Sequence, residues 1–180
     1  MKGSQSMETI MGEVEEFGWR EVTLPTLIPK VGHPELERES FERKRGRDIL
    51  VAIDESPNSK CAFDWALINL CRLADTLHLV HAVSDVKNEN VFEASRGLME
   101  NLAAEAFEVC MVRTFARIVE GDPGRAICKV ADHIKPAAVV MGTRGRSLLQ
   151  CVLQGSVSEY CLHHCKSTPI IIVPGKEAEE

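Results

Sequence analysis

From Asp48 onward the chain alternates between short apolar runs and longer stretches with helical spacing. The apolar runs are "DILVAID" (48–54), "TLHLVHAVS" (76–84), "TFARIVEG" (114–121), "PAAVVMG" (136–142) and "TPIIIVP" (168–174). Between them lie "SPNSKCAFDWALINLCRLA" (56–74), "EASRGLMENLAAEAFEVCMV" (93–112), "DPGRAICKVADHI" (122–134) and "GSVSEYCLHHC" (155–165). A run that is apolar at consecutive positions suits a strand covered on both faces. Ser56 with Pro57, and Asp122 with Pro123, are N-cap and first-turn pairs that start helices. The resulting order, β-α-β-α-β-α-β-α-β, predicts an α/β fold: a doubly wound, three-layer sandwich around a parallel sheet with right-handed crossovers.

The segment before Asp48 reads differently. It carries prolines at 25, 29 and 34, scattered Glu and the almost fully charged "ELERESFERKRGR", with apolar clusters only near Phe17–Trp19 and Val22–Ile28. Residues 1–47 are expected to be a charged, largely non-globular extension from which one short segment can dock on the domain. Residues 48–174 form the folded unit and 175–180 an acidic tail. "RKRGR" at 43–47 admits two readings, a nuclear address or a solvated lead-in to the first strand.

Composition excludes some classes of function. A net charge of -6 argues against a general nucleic-acid binder. No apolar run approaches the roughly 20 residues of a membrane helix, and the first 20 residues hold Glu where a secretion leader needs apolar residues. A cytoplasmic chain, with a nuclear alternative, is therefore expected. The seven cysteines read as reduced thiols. Cys161, His164 and Cys165 share a helix face, but one such cluster falls short of the usual zinc-ligand pattern, and a buried helix face is expected instead.

In doubly wound sheets, ligands bind beyond the carboxyl ends of the strands where the strand order reverses. Two candidate loops leave strand ends here. One holds Asp54, Glu55, Ser56 and Pro57; the other begins at Gly142. Gly142, Gly145 and Gly155 could let main-chain amides approach phosphate oxygens, with Ser156 adding a hydroxyl and Arg144 and Arg146 offsetting charge. Asp54 suits a ribose or an amino group rather than phosphate. The same glycines also suit ordinary strand-to-helix turns. Neither the G-x-x-x-x-G-K-[ST] nor the G-x-G-x-x-G loop is present, so the residues alone leave both readings open.

The spacing Gly142-x2-Gly145-x9-Gly155-Ser156 resembles the G-x2-G-x9-G-[ST] nucleotide motif of the universal stress protein family. "ILVAIDES", "VEGDPGRAI", "VVMGTRGRS" and "GSVSEYCLHHCKSTPIIIVP" extend the likeness over about Asp48 to Pro174. The charged extension resembles that of small plant stress-responsive members. The resemblance implies a five-stranded Rossmann-like sheet, of the adenine nucleotide alpha hydrolase-like kind, with its predicted strands in the order 3-2-1-4-5. It also implies a homodimer formed through the last strand (169–173) and an ATP or AMP ligand, with or without Mg2+. Asp54 would meet ribose or adenine, and the backbone near Val83 the adenine edge. Gly142, Gly145, Gly155, Ser156 and the Val157 amide would hold phosphates. Ala52, Met141, Arg144 and Ser158 complete the expected site.

Catalysis of phosphoryl transfer needs a base and a charge stabiliser. Asp54 is placed at the sugar end, and His78 and His81 read as core histidines, so no catalytic residue is assigned. Slow ATP hydrolysis or autophosphorylation stays open. Two functions follow: a nucleotide-binding stress sensor or regulator, or a dimeric holdase or interaction scaffold without a nucleotide role.

Overall fold

The computed structural model describes residues 18–24, 46–143 and 157–175. Its elements, in chain order, are β1 (Trp19–Val22), β2 (Asp48–Ile53), α1 (Pro57–Asn69), β3 (Thr76–Val83), α2 (Glu89–Cys110), β4 (Arg113–Glu120), α3 (Pro123–Ile134), β5 (Ala138–Gly142), α4 (Val157–His164) and β6 (Ile170–Val173). The sheet order is β1-β4-β3-β2-β5-β6, with every neighbouring pair parallel except β1 and β4. Without β1 this is the anticipated 3-2-1-4-5 arrangement, with the reversal between β2 and β5.

The sixth strand differs from the expected five. Trp19–Val22 lies in the segment read as largely non-globular, yet it pairs antiparallel with β4, Trp19 opposite Val119 and Val22 opposite Ala116. It covers the exposed rim of β4, which would otherwise present unpaired amides and carbonyls. Val22 is buried in the core. The Arg20 guanidinium lies 3.4 Å from the Phe92 ring centroid and 3.2 Å from the Glu89 carboxylate. Trp19 tilts against His133 of α3, with ring centroids 5.5 Å apart.

Strand alternation divides the core in two. Ile49, Val51, Leu77, Leu79 and Ile118 pack with Phe63 of α1 and with Met99 and Leu102 of α2. Leu50, Val80, Val119, Val139 and Met141 pack on the opposite face with Ile127 and Val130 of α3 and Cys161 of α4. The helix starts follow the capping chemistry. Ser56 accepts from the Ser59 amide, Asn88 from Asn90 and Val91, and Asp122 from Arg125. The second predicted helix stops short of Val112, because Met111 adopts a left-handed conformation (φ 55) that turns the chain into β4. Asp75 anchors the entry to the sheet. It accepts from the Arg47 amide, Nε and Nη2 at 3.1, 3.2 and 2.6 Å, and from the Arg72 amide at 3.0 Å.

A polar chain crosses four strands on the α3 face. Arg117 Nη1 can only donate, and it lies 3.1 Å from His78 Nδ1. His78 therefore carries its proton on Nε2, which donates to Asp48 Oδ1 at 2.8 Å. Arg117 Nε pairs with Glu21 of β1 at 3.3 Å. Burial lowers the His78 pKa below its ordinary 6.5, against an opposing pull from Asp48. The native state thus resists a proton that the unfolded chain takes up at about pH 6.5. His78 contributes its full stability above that pH, and the contribution falls as pH drops toward the lower native value. Urea midpoints measured between about pH 7.5 and 5.5 should decline, with a flatter decline in His78→Gln; identical slopes would contradict this account.

Candidate functional site

A cavity of about 200 Å³ opens at the carboxyl ends of β2 and β5, where the strand order reverses. Its floor is apolar: Ala52 of β2, Val80 and Ala82 of β3, and Met141 of β5, faced by Ile127 of α3. Its rim is polar, with Asp54, Ser56 and Ser59 on one side, Gly142 and Thr143 on another, and Ser158 beside Val157. Pro123 closes the α3 side.

Two helices begin at this rim and a third reaches it. Ser56 and Ser59 belong to the start of α1, Pro123 is the first residue of α3, and α4 contributes Val157 and Ser158. The starts of α1 and α3 bring the positive ends of two helix dipoles, with the Ser59 and Arg125 amides already capped by Ser56 and Asp122. Their convergence on one cavity makes a setting for an anion, and the apolar floor accepts a flat, weakly polar ring.

Asp54 is held rather than loose. Its Oδ1 accepts from the Ser56 amide at 2.8 Å and from the Ser56 hydroxyl, while its own amide donates to Ser59 Oγ at 2.9 Å. Among the described residues Oδ2 has no partner, so one carboxylate oxygen stays available to a hydroxyl or amino group. Ser59, buried inside the first turn of α1, was not singled out from sequence as a site residue. Its distance from Asp54 in the chain, two residues beyond the N-cap Pro pair, is the signal that would have found it.

The structure brings together Ala52, Asp54, Met141, Gly142, Val157 and Ser158 of the expected set. Arg144, Gly145, Gly155 and Ser156 lie outside the described residues. Val83 is not brought to the cavity. Its side chain belongs to the core under α1 and α2, and its carbonyl accepts from the Gly121 amide at 2.9 Å. Side chains alternate along a strand, so Val80 and Ala82 face the cavity and Val83 faces away.

Gly142 has a reason of its own to be glycine. A Cβ there would sit 2.5 Å from the Asn58 carbonyl oxygen and 2.7 Å from its carbon, both main-chain atoms of α1. The close approach of α1 to the end of β5 demands it whether or not a ligand is bound. His81, expected in the core, is buried with Nδ1 donating to the Ile53 carbonyl at 2.8 Å.

Comparison with known proteins adds to this geometry. The sequence profile of the universal stress protein family matches residues 46–174. Uncharacterized protein C167.05 of Schizosaccharomyces pombe is 29% identical over 147 residues, covering 74% of this chain. The chain spans only 24% of that relative, and 47% of a second one from the same yeast, the universal stress protein A family protein C25B2.10. Among solved structures, the Arabidopsis thaliana universal stress protein family protein At3g01520 with AMP bound superposes with a TM-score of 0.56 at 22% identity. It covers 72% of this chain and 92% of its own. A universal stress protein in complex with cAMP gives 0.57 at 23%, covering 74% and 100%. Likeness at this level is likeness of fold.

The packing at Gly142 is directly testable. Gly142→Ala forces main chain against main chain and should lower unfolding stability by about 1–3 kcal/mol in urea titrations; an unchanged midpoint would show that α1 yields freely.

Proposed function

The chain belongs to the universal stress protein family, and on that premise we propose that it binds an adenine nucleotide, ATP or AMP, in the cavity between β2 and β5. The observation that carries this reading is the meeting of the α1 and α3 starts with an apolar floor at the strand-order reversal. In the proposed pose the adenine lies on Ala52, Val80, Ala82 and Met141. Asp54 Oδ2 takes a ribose hydroxyl, and the phosphates meet the Val157 amide together with Gly145, Gly155 and Ser156 from the motif. Arg144 offsets the phosphate charge. Mg2+ would accompany ATP through the nucleotide's own oxygens. The solved relatives carrying AMP and cAMP support the choice of base.

The unit that binds spans 48–174, with 1–47 and 175–180 as appendages and Trp19–Val22 recruited to the sheet edge. The proposed role is regulatory, a cytoplasmic stress-response sensor rather than an enzyme. Asp54, the one carboxylate lining the cavity among the described residues, has an oxygen already committed to Ser56. Among the described residues no helix is long and apolar enough to cross a membrane.

A homodimer is the second part of the proposal. β6 is the last strand of the sheet, and Ile170, Ile171 and Ile172 are only half-buried on it. An apolar edge with no further strand beside it among the described residues favours a second copy. The same edge supports the rival reading, a holdase or scaffold with no nucleotide role. Light scattering at micromolar concentration should report a dimer that a charge at Ile171 splits; a monomeric wild type would remove this part.

Calorimetric titration with AMP and ATP tests the nucleotide reading. Binding is expected in the wild type, at least tenfold weaker in Gly155→Val and about 1–2 kcal/mol weaker in Ser156→Ala. Absence of heat at millimolar ligand, or wild-type affinity in both variants, would overturn it.

A further inference from the structure

Below the cavity, α3 and α4 lie against each other. Gly124 of α3 makes room for the Tyr160 ring, since a Cβ there would meet Tyr160 Cδ1 at 2.7 Å. One turn deeper, Cys128 of α3 faces Cys161 of α4 and Cys165 just beyond its end, and all three are buried. Their three sulfurs lie within 4.8 Å of one another. The Cys165 thiol donates to Cys128 Sγ at 2.8 Å, across 37 residues of chain, and the Cys161 thiol reaches the Gly124 carbonyl at 3.8 Å.

A helix seam needs small apolar residues, and alanine would fill one thiol's place as well as cysteine. Three thiols whose sulfurs all converge on one point do more than fill space. Metal–sulfur bonds are about 2.3 Å long, so a three-sulfur shell has edges of about 4 Å. With one pair at 2.8 Å and all three sulfurs within 4.8 Å, small side-chain movements reach that edge. The scaffold is stiff: Cys161 and Cys165 are neighbours by helical spacing, and Cys128 is fixed on a capped, well-packed helix. His164 is not part of the set. It is exposed, its ring stacks on Tyr160 at 3.9 Å, and its Nδ1 donates to the Tyr160 carbonyl.

We propose that Cys128, Cys161 and Cys165 form a binding site for one thiophilic metal ion, monovalent copper foremost. All-sulfur donors select soft ions, and neither carboxylate nor imidazole belongs to the cluster. Zinc shares the preference for sulfur but takes four ligands in structural sites, so three sulfurs suit copper better. Contact with Cys161 and burial push the Cys128 thiol up, and burial pushes Cys165 up to about 12. Each metal–sulfur bond therefore forms as a thiol proton leaves to solvent, and apparent affinity rises with pH. The ion would clamp α3 to α4, both of which contribute lining residues to the cavity, without touching any residue assigned to the nucleotide.

The full reduced chain, titrated anaerobically with Cu(I) and separately with Zn(II) against a chromogenic chelator, tests the site. The chain with Cys61, Cys71, Cys110 and Cys151 replaced by Ser should keep one tight equivalent of Cu(I), with a sulfur-to-metal ultraviolet band. Replacing Cys128, Cys161 and Cys165 by Ala should abolish it. Bound Cu(I) should also slow alkylation of those three thiols in the native wild type at least tenfold relative to the metal-free protein, read by peptide mass spectrometry, a result independent of whether the alanine variant folds. One equivalent of zinc lost in the same variant supports the site equally. No stoichiometric binding of either ion, or binding and alkylation patterns indifferent to these three residues, would overturn the proposal.

Discussion

The first turn of α1 lies so close to the last residue of β5 that Gly142 has no space for a single methyl group. That approach determines the shape of the carboxyl end of the sheet. With α1 pressed onto β5, Ser56 and Ser59 sit at the rim beside Thr143, and Asp54 is drawn into the hydrogen bonds that cap the helix. The strand order reverses at the same place, and the helices that follow β2 and β5 pack on opposite faces of the sheet with the cavity between them. The cavity follows from backbone packing before any side chain is chosen for a ligand.

The two faces of the sheet are finished differently. The α1 and α2 face is an apolar core from Phe63 to Met99, and Val22 of β1 extends it. The α3 face carries Asp48, His78, Arg117 and Glu21 in a line across four strands. Arg117, placed between the imidazole and a β1 carboxylate, fixes the histidine tautomer and ties the edge strand to the sheet's interior. On the same face, toward β5 and β6, the seam between α3 and α4 is built from glycine and cysteine. Small residues allow the two helices to lie close enough to share one cavity.

Much of this was legible because the chain declares its periods. Five apolar runs, the Ser56–Pro57 and Asp122–Pro123 starts and the strand ends near Asp54 and Gly142 all have local causes. β1 had none. "WREV" is four residues long, half charged, and set in a proline-bearing charged segment, and its place in the sheet comes from the edge of β4 and from contacts with Phe92 and His133. Val83, expected to act through its backbone, sends its side chain to the core, and the cavity is lined from the same strand by Val80 and Ala82. Gly142, read as a ligand position from its spacing, also carries a packing requirement from α1 that the sequence does not display. Cys128 looked like any small apolar helix residue, and only the packing of α4 brings two more sulfurs to it.

The most direct test of the central claim is an amide chemical-shift map of the labelled protein as AMP is added. The account predicts saturable shifts concentrated at Asp54, Ser59, Gly142, Thr143, Val157 and Ser158, with β1 and the distal ends of α1 and α2 unmoved. Saturation elsewhere, or no shift at the cavity rim under millimolar AMP, would contradict it.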